Sequence, residues 1–404
     1  MNLPVSVSPV SASAWFTRRR LAYLLLGILV AVLLLVRFNI KGRLGGVFLL
    51  EGKGWRLLEL KDDLYLGEGS RLIWGIDFGP IRRKVYEKHF PEKLLPSLEV
   101  DWDEGEGNGY VVNRYPGGYA MVTSFGRFLA DSGEETKGLF VGGGLPESVV
   151  GDNLARLNET GMAFSNGQRW LHIWCSTNEV ISSAFGDTRM VYPSEWRFLG
   201  SRVLHNGPRH VVLSSSHEAV LDGVPLRIDR FAYFHAEEIF FRLGIRIRNE
   251  GTRPIVFNYL YGDEPWLGDY GSSKGNVGWT ADGLVQRVST VDPATHRYAG
   301  LFDCGNTLVS PRRDFTMSAN FIEWLGSNIP DLVYFSNSAG FDADEVEAGV
   351  PLASNTRFIG VQWGPRELAP GEETTLFLAV GMATSDPRTG LPVKPAVPIR
   401  SELD

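Results

Sequence analysis

The chain has 404 residues, a formal net charge of −7, 46 glycines, 22 prolines and 12% aromatic residues. Its first 41 residues hold no acid and five bases (Arg18, Arg19, Arg20, Arg37, Lys41), which leaves the rest with 47 acids against 35 bases. So acidic a body excludes binding along a nucleic-acid backbone, and two cysteines without a CxxC pair or Cys/His cluster exclude a structural zinc site.

Leu21 to Val36 is an uncharged apolar run. As a helix it measures ~24 Å against a hydrocarbon core of ~30 Å. Phe38 and Ile40 lengthen it if Arg37 reaches toward the headgroups. The following residues offer no small-x-small cleavage site, so a retained anchor is favoured over a cleaved signal peptide. We expect a short cytoplasmic tail over 1–20, one transmembrane helix over 21–40 and a body over 42–383. The three adjacent arginines place the N-terminus in the cytoplasm and the body on the extracytoplasmic side of the cell membrane.

Beyond the anchor, short apolar runs bounded by glycine and turn residues predict a mainly β body. Glu99 to Asn108 crowds Asp101, Asp103, Glu104 and Glu106 into one loop. An EF-hand would need a ligand where Gly105 stands and a glutamate where Val112 stands, so the loop reads as a solvated acidic turn. Val150, Leu154 and Leu157 share one face of a short helix within 147–158. Asn166-Gly167 predicts a hairpin turn. In its second arm Trp170, His172 and Trp174 alternate with apolar residues, which places His172 in a sandwich core with its hydrogen bonds met. Strands are expected over 211–215, 225–234 and 239–248, with Asp222-Gly223 as a turn. Arg246 and Arg248 alternate with Ile245 and Ile247, so one face of the last strand is wet. His205, His210 and His217 are the histidines spaced closely enough to converge, but no metal or other cofactor is implied. A Pro-rich extended tail is expected over 384–404. Cys175 and Cys304 are expected unbonded, since nothing in the sequence brings them within ~7 Å.

The stretch Tyr259 to Trp279 carries the chemistry. It sets Asp263, Glu264 and Asp269 among Tyr261, Trp266, Tyr270 and Trp279, after a strand over 255–260. Flat rings cover apolar sugar faces, and carboxylate oxygens accept hydroxyl hydrogen bonds. A glycan or other polyhydroxylated ligand suits this set. The other reading is a Gly-rich connection whose aromatics, Trp279 among them, cap a core edge. Asp263 and Glu264 point opposite ways in an extended chain, so Asp263 with Asp269 is the better acid pair for glycoside chemistry. Gly271-Ser272-Ser273-Lys274-Gly275 matches GxSxG, but the flanks lack the strand and helix that a nucleophile elbow needs.

Arg246 to Trp266 and Val361 to Gly381 resemble the galactose-mutarotase-like supersandwich, in the Asn-x-Gly turn, the returning strand with its site-bearing loop, and the final strand after a Pro-Gly turn. The resemblance implies a large antiparallel β-sandwich that handles carbohydrate on a concave face. Where the family's epimerases use a histidine and a glutamate, the matching loop offers Asp263 and Glu264 and no histidine. Two functions follow from the residues. One is an anchored envelope protein that binds or modifies carbohydrate through 259–279, and the other is a non-catalytic scaffold presenting the same sandwich to a protein partner.

Overall fold

The structure is a computed structural model. It describes Tyr23, strand segments between 46 and 77, and residues 96–398 apart from 127, 130–134, 143, 158–159, 176, 185–188, 264–266, 269–275, 304–317, 338–347, 353–357 and 387. The expected anchor, Tyr23 excepted, and Cys304 lie outside these residues. Among the described residues no helix is long and apolar enough to cross a membrane.

Two compact units divide the chain at 94/95. In the first, β1 (Gly46–Glu51) and β2 (Gly54–Glu59) form an antiparallel pair, and β3 (Leu72–Ile73) pairs with β4 (Ile76–Asp77).

The second unit is built from antiparallel sheets. A five-stranded sheet uses β5 (Ser97–Asp103), β6 (Asn108–Arg114), β7 (Ala120–Phe125), β10 (Met162–Ser165) and β11 (Trp170–Trp174) in the order β11-β10-β7-β6-β5, with β8 (Phe128–Leu129) and β9 (Glu135–Thr136) pairing beside it in the chain. A six-stranded sheet has the order β13-β12-β18-β25-β24-β21. Its strands are β12 (Asn178–Ser183), β13 (Met190–Val191), β18 (Ile255–Asp263), β21 (Ser289–Val291), β24 (Leu332–Ser336) and β25 (Phe358–Leu368). The ten-stranded sheet runs β14-β15-β16-β17-β26-β23-β22-β19-β20 with β27 on β26. These are β14 (Arg197–Asn206), β15 (His210–Leu221), β16 (Val224–His235), β17 (Phe240–Asn249), β19 (Asn276–Thr280), β20 (Gly283–Val285), β22 (Tyr298–Asp303), β23 (Ala319–Leu325), β26 (Glu373–Ser385) and β27 (Pro392–Val393).

Turn chemistry sets these registers. Asp222 (φ 51°) and Gly223 (φ 76°) both adopt the left-handed region, as a two-residue hairpin loop matched to strand twist requires. Asn249, fully buried, accepts from the Gly251 amide at 2.8 Å and donates to the carbonyls of Arg253 and Leu368, locking the β17–β18 turn. In the acidic hairpin Asp103 accepts from the amides of Gly105 and Glu106 at 2.9 Å each, and its acids are exposed as expected.

The five- and six-stranded sheets both pack on one side of the ten-stranded sheet. Phe125 of β7 meets Phe234 and Phe241 edge-on. Asn320 of β23 donates to the Ile173 carbonyl of β11. A side chain at Gly278 of β19 would collide with Phe335 of β24. Leu226, Ile228, Leu243, Ile245, Ile247, Leu376, Leu378, Val380, Leu301 and Ile322 fill this inner side, all buried. Strand alternation then turns every second residue of the large sheet to its outer side. Under the five-stranded sheet, Val150 and Leu157 of the short helical segment pack with Val112, Val122 and Ala163, as their spacing predicts.

Candidate functional site

Two groups of charged side chains stand out, one on each side of the large sheet. On the inner side, Arg230 of β16 lies on the strand face that otherwise carries Leu226, Ile228, Ala232 and Phe234. Its guanidinium forks onto Glu179 of β12 at 2.5 and 2.7 Å, donates to the Leu139 carbonyl at 3.0 Å and to the Tyr259 hydroxyl at 3.1 Å, and lies 4.1 Å over the Phe140 ring. The Tyr259 hydroxyl also donates to Glu179. Burial opposes the charge on Arg230, but Glu179 outweighs it and holds the arginine above its ordinary pKa. Burial, then the Glu179 charge, pushes Tyr259 well up, so its proton stays in place. Both charged side chains are wholly inaccessible. This cluster ties the two layers together and is closed to any ligand.

The outer side has a different makeup. Cross-strand register lines up Glu218, Arg227, Arg248 and Glu373 in one row, and Ser216, Asp229, Arg246 and Thr375 in the next. A third row is Ser214, Phe231, Gly244, Phe377 and Leu325, and a fourth is Val212, Tyr233, Arg242, Ala379, Glu323 and Tyr298. Asp229 organises the polar end. It accepts from Ser216 at 2.6 Å, Arg227 at 2.9 Å and Arg246 at 2.8 Å. Burial works against its charge, but the hydrogen bonds from Ser216, Arg246 and Arg227 prevail and hold it below its ordinary pKa. Phe377 lies over Gly244, where a side chain would meet its ring at 3.0 Å, and Arg246 sits 5.8 Å over Phe231. Phe231, Tyr233 and Phe377 are all half-buried. An aromatic strip beside a hydrogen-bonded arginine–aspartate network is uncommon on the solvent side of a sheet, where polar residues suffice.

Further along, Arg242 forks onto Glu238 at 2.7 and 2.9 Å. His210 and His235 stack at 4.5 Å, with His205 5.0 Å from His210. His217 does not join them. It lies on the inner side, where Nε2 is 2.8 Å from the Lys137 carbonyl and its ring meets Phe140, Trp196 and Phe198. Among the described residues no group of three or more His, Cys, Asp or Glu is placed to hold a metal. His172 is buried with Nδ1 on the Thr160 hydroxyl, the core histidine that its alternation predicts.

The residues singled out in 259–279 separate. Tyr261 is 1% exposed on the inner side of β18, opposite Glu179 in register. Trp279 is 2% exposed on the outer side of β19, opposite Gly300. Its indole donates to the Asn320 carbonyl at 3.0 Å and lies 5.1 Å from the Tyr298 ring. Asp263 is the last residue of β18, opposite Ile359. Glu264, Trp266, Asp269 and Tyr270, with the GxSxG match, lie outside the described residues. Sequence reasoning missed both charged groups. Arg230 had a signal, an arginine on an otherwise apolar strand face. The outer rows showed only as the wet face of Arg246 and Arg248, because the rows themselves exist through the pairing of strands distant in sequence.

No family model and no curated protein sequence matches the chain. Among solved structures it is similar to galactose mutarotase-like proteins and aldose 1-epimerases, the group its sequence resembles. A galactose mutarotase-like protein from Clostridium acetobutylicum is 7% identical over 71% of this chain and 98% of that one, with a TM-score of 0.37. A putative aldose 1-epimerase from Klebsiella pneumoniae is 9% identical over 71% and 84%, at 0.35. One from Escherichia coli K12 is 8% identical over 66% and 96%, at 0.35.

Proposed function

We propose that this protein binds carbohydrate on the outer face of its large sheet. The observation that carries the reading is the half-buried strip Phe231, Tyr233 and Phe377 beside the Asp229–Arg246–Arg227 network. Rings of this kind cover the apolar face of a sugar, while a guanidinium and a carboxylate bond its hydroxyls. We assign a second set of candidate groups to the loop between β18 and β19, where Trp266 and Tyr270 offer rings, and Asp263, Glu264 and Asp269 offer acceptors and the acid pair for any turnover. Tyr261 and Trp279 act as buried supports at the two ends of that loop. Residues 21–40 tether the body to the cell membrane on its extracytoplasmic side.

Phe377→Ala tests the reading. It should abolish retention on a glycan array while the melting temperature stays within a few degrees. Unchanged glycan binding would overturn it, and capture of a protein partner instead would favour the scaffold. Release of the full-length protein from membranes by high salt alone would overturn the tether.

A further inference from the structure

The outer face already has an occupant, supplied by the chain itself. After β26 the chain turns back, with the Gly390 amide on the Asp386 carbonyl at 2.7 Å and the Asp386 amide on the Leu391 carbonyl at 2.9 Å. It pairs Val393 with Thr384 and Pro392 with Ser385, then lays Lys394 to Pro398 over the row that holds Arg242, Glu323 and Tyr298. Lys394 Nζ is 2.5 Å from Glu323 Oε2 and 2.8 Å from the Pro395 carbonyl. It lies 5.6 Å from the Tyr298 ring centroid and 5.5 Å from that of Phe321. Farther on, Arg242 donates to the Pro398 carbonyl at 3.3 Å.

This is the chemistry of an ammonium receptor. Two ring faces attract the cation, and one carboxylate accepts its hydrogen bonds. The Glu323 and Lys394 side chains are each only 15% exposed, so the pair is shielded from water. Burial raises Glu323 above its ordinary pKa, while Lys394, Arg297 and Arg242 pull it back. Beside these contacts the Thr384 hydroxyl donates to the Val393 carbonyl at 3.1 Å. Pro392, Pro395 and Pro398 have no amide to donate, and β27 is two residues long. An extended, proline-stiffened segment loses little entropy on docking or release, which is how proline-rich ligands bind grooves.

We propose that Glu323, Tyr298 and Phe321 form a binding site for a lysine-like primary ammonium, that Lys394 fills it in cis, and that an alkylammonium ligand displaces the C-terminal strap. The site lies on the face assigned to carbohydrate, but the inference stands without that assignment.

Hydrogen exchange on the full chain tests it, with n-butylammonium chloride as probe and sodium chloride and tetramethylammonium chloride at equal ionic strength as controls. The Val393 and Lys394 amides should exchange faster as n-butylammonium rises, and stay unchanged in both controls, because neither control cation has an N–H for Glu323. Equal effects of all three salts, or no effect of any, overturn the proposal. A second readout uses Lys394→Ala. Its melting temperature should rise with n-butylammonium more than that of the wild type, and Glu323→Gln in the same variant should abolish the difference. Rescue that survives Glu323→Gln also overturns it.

Discussion

Asp229 and Arg230 are consecutive, yet they belong to different chemistries. Strand alternation turns Asp229 outward to Arg227 and Arg246, and turns Arg230 inward to Glu179. The inward pair is wholly inaccessible, whereas the Arg246 side chain is 41% exposed and that of Asp229 12%. Each arginine forms a close carboxylate contact, so contact geometry alone does not separate them. Access to water does. Losing one partner inside leaves an uncompensated charge with nothing to solvate it, while outside water takes the vacant place. The inner cluster therefore fixes how the layers meet, while the outer one can exchange its partners for water.

The largest expected effect lies inside. Glu179→Gln should destabilise the body by about 3–5 kcal/mol, since Arg230 would stay buried without a counter-charge. Chemical denaturation measures it. Replacing Arg230 and Glu179 together by Met should recover part of that loss, because no charge is then left unpaired. A Glu179→Gln cost no larger than that of Arg246→Ala would erase the distinction between the two sides.

His217 extends the comparison to pH. It sits inside beside Phe140, Trp196 and Phe198, and burial drives its pKa from 6.5 down to about 4. The Lys137 carbonyl bond and Asp229 pull it back up, and Arg230 adds to the fall. The unfolded chain therefore takes up the proton first. Stability should be level above pH ~6.5 and fall as pH drops toward ~4, by at most about 3 kcal/mol from this group. His217→Gln keeps a donor for the Lys137 carbonyl and should flatten that slope in urea titrations run across the window.

Strand positions, the Asp222-Gly223 hairpin, the Asn249 turn and the core placement of His172 were legible because each is written in neighbouring residues. Arg230 showed only as a misfit in LRIDRFAYF. Its partner Glu179 comes 51 residues earlier and in another sheet, and no local pattern joins them. On the outer face the alternation of Arg246 and Arg248 marked a wet side, but the rows across it were illegible for the same reason at larger scale. Phe231 reads as one more aromatic until register sets it in line with Gly244 and Phe377. The stretch 259–279 shows the converse error. Tyr261 and Trp279 look like neighbours in one loop, but β18 and β19 belong to different sheets, and the two rings face different sides of the fold.

Outside, Asp229→Asn should cost about 1–2 kcal/mol, as the loss of a charge-assisted hydrogen-bond acceptor that water partly replaces. Because the folded pKa of Asp229 lies below its ordinary value, its contribution is present above the unfolded pKa of ~3.9 and fades as pH falls through the folded one. The gap between the variant and the wild type should thus narrow as pH falls below ~3.9. A gap that does not narrow on acidification would mean the asparagine disturbs packing rather than charge.

The smallest effect belongs to the rim of the same face. Arg197 meets Glu218 at 2.8 Å, but its side chain is 64% exposed. A pair so open gains little from Coulomb attraction, because water screens it and two long side chains must be held still. Arg197→Ala should change stability by no more than about 0.5 kcal/mol. In 1 M salt, where screening acts over ~3 Å, even that difference should vanish, while the Glu179→Gln cost persists because salt does not reach the inner pair. Denaturation of both variants at low and high salt therefore reads the two sides of the sheet in one experiment. If the Glu179→Gln cost shrinks with salt as the Arg197→Ala cost does, the inner cluster is open to solvent, and the division of labour between the two sides fails.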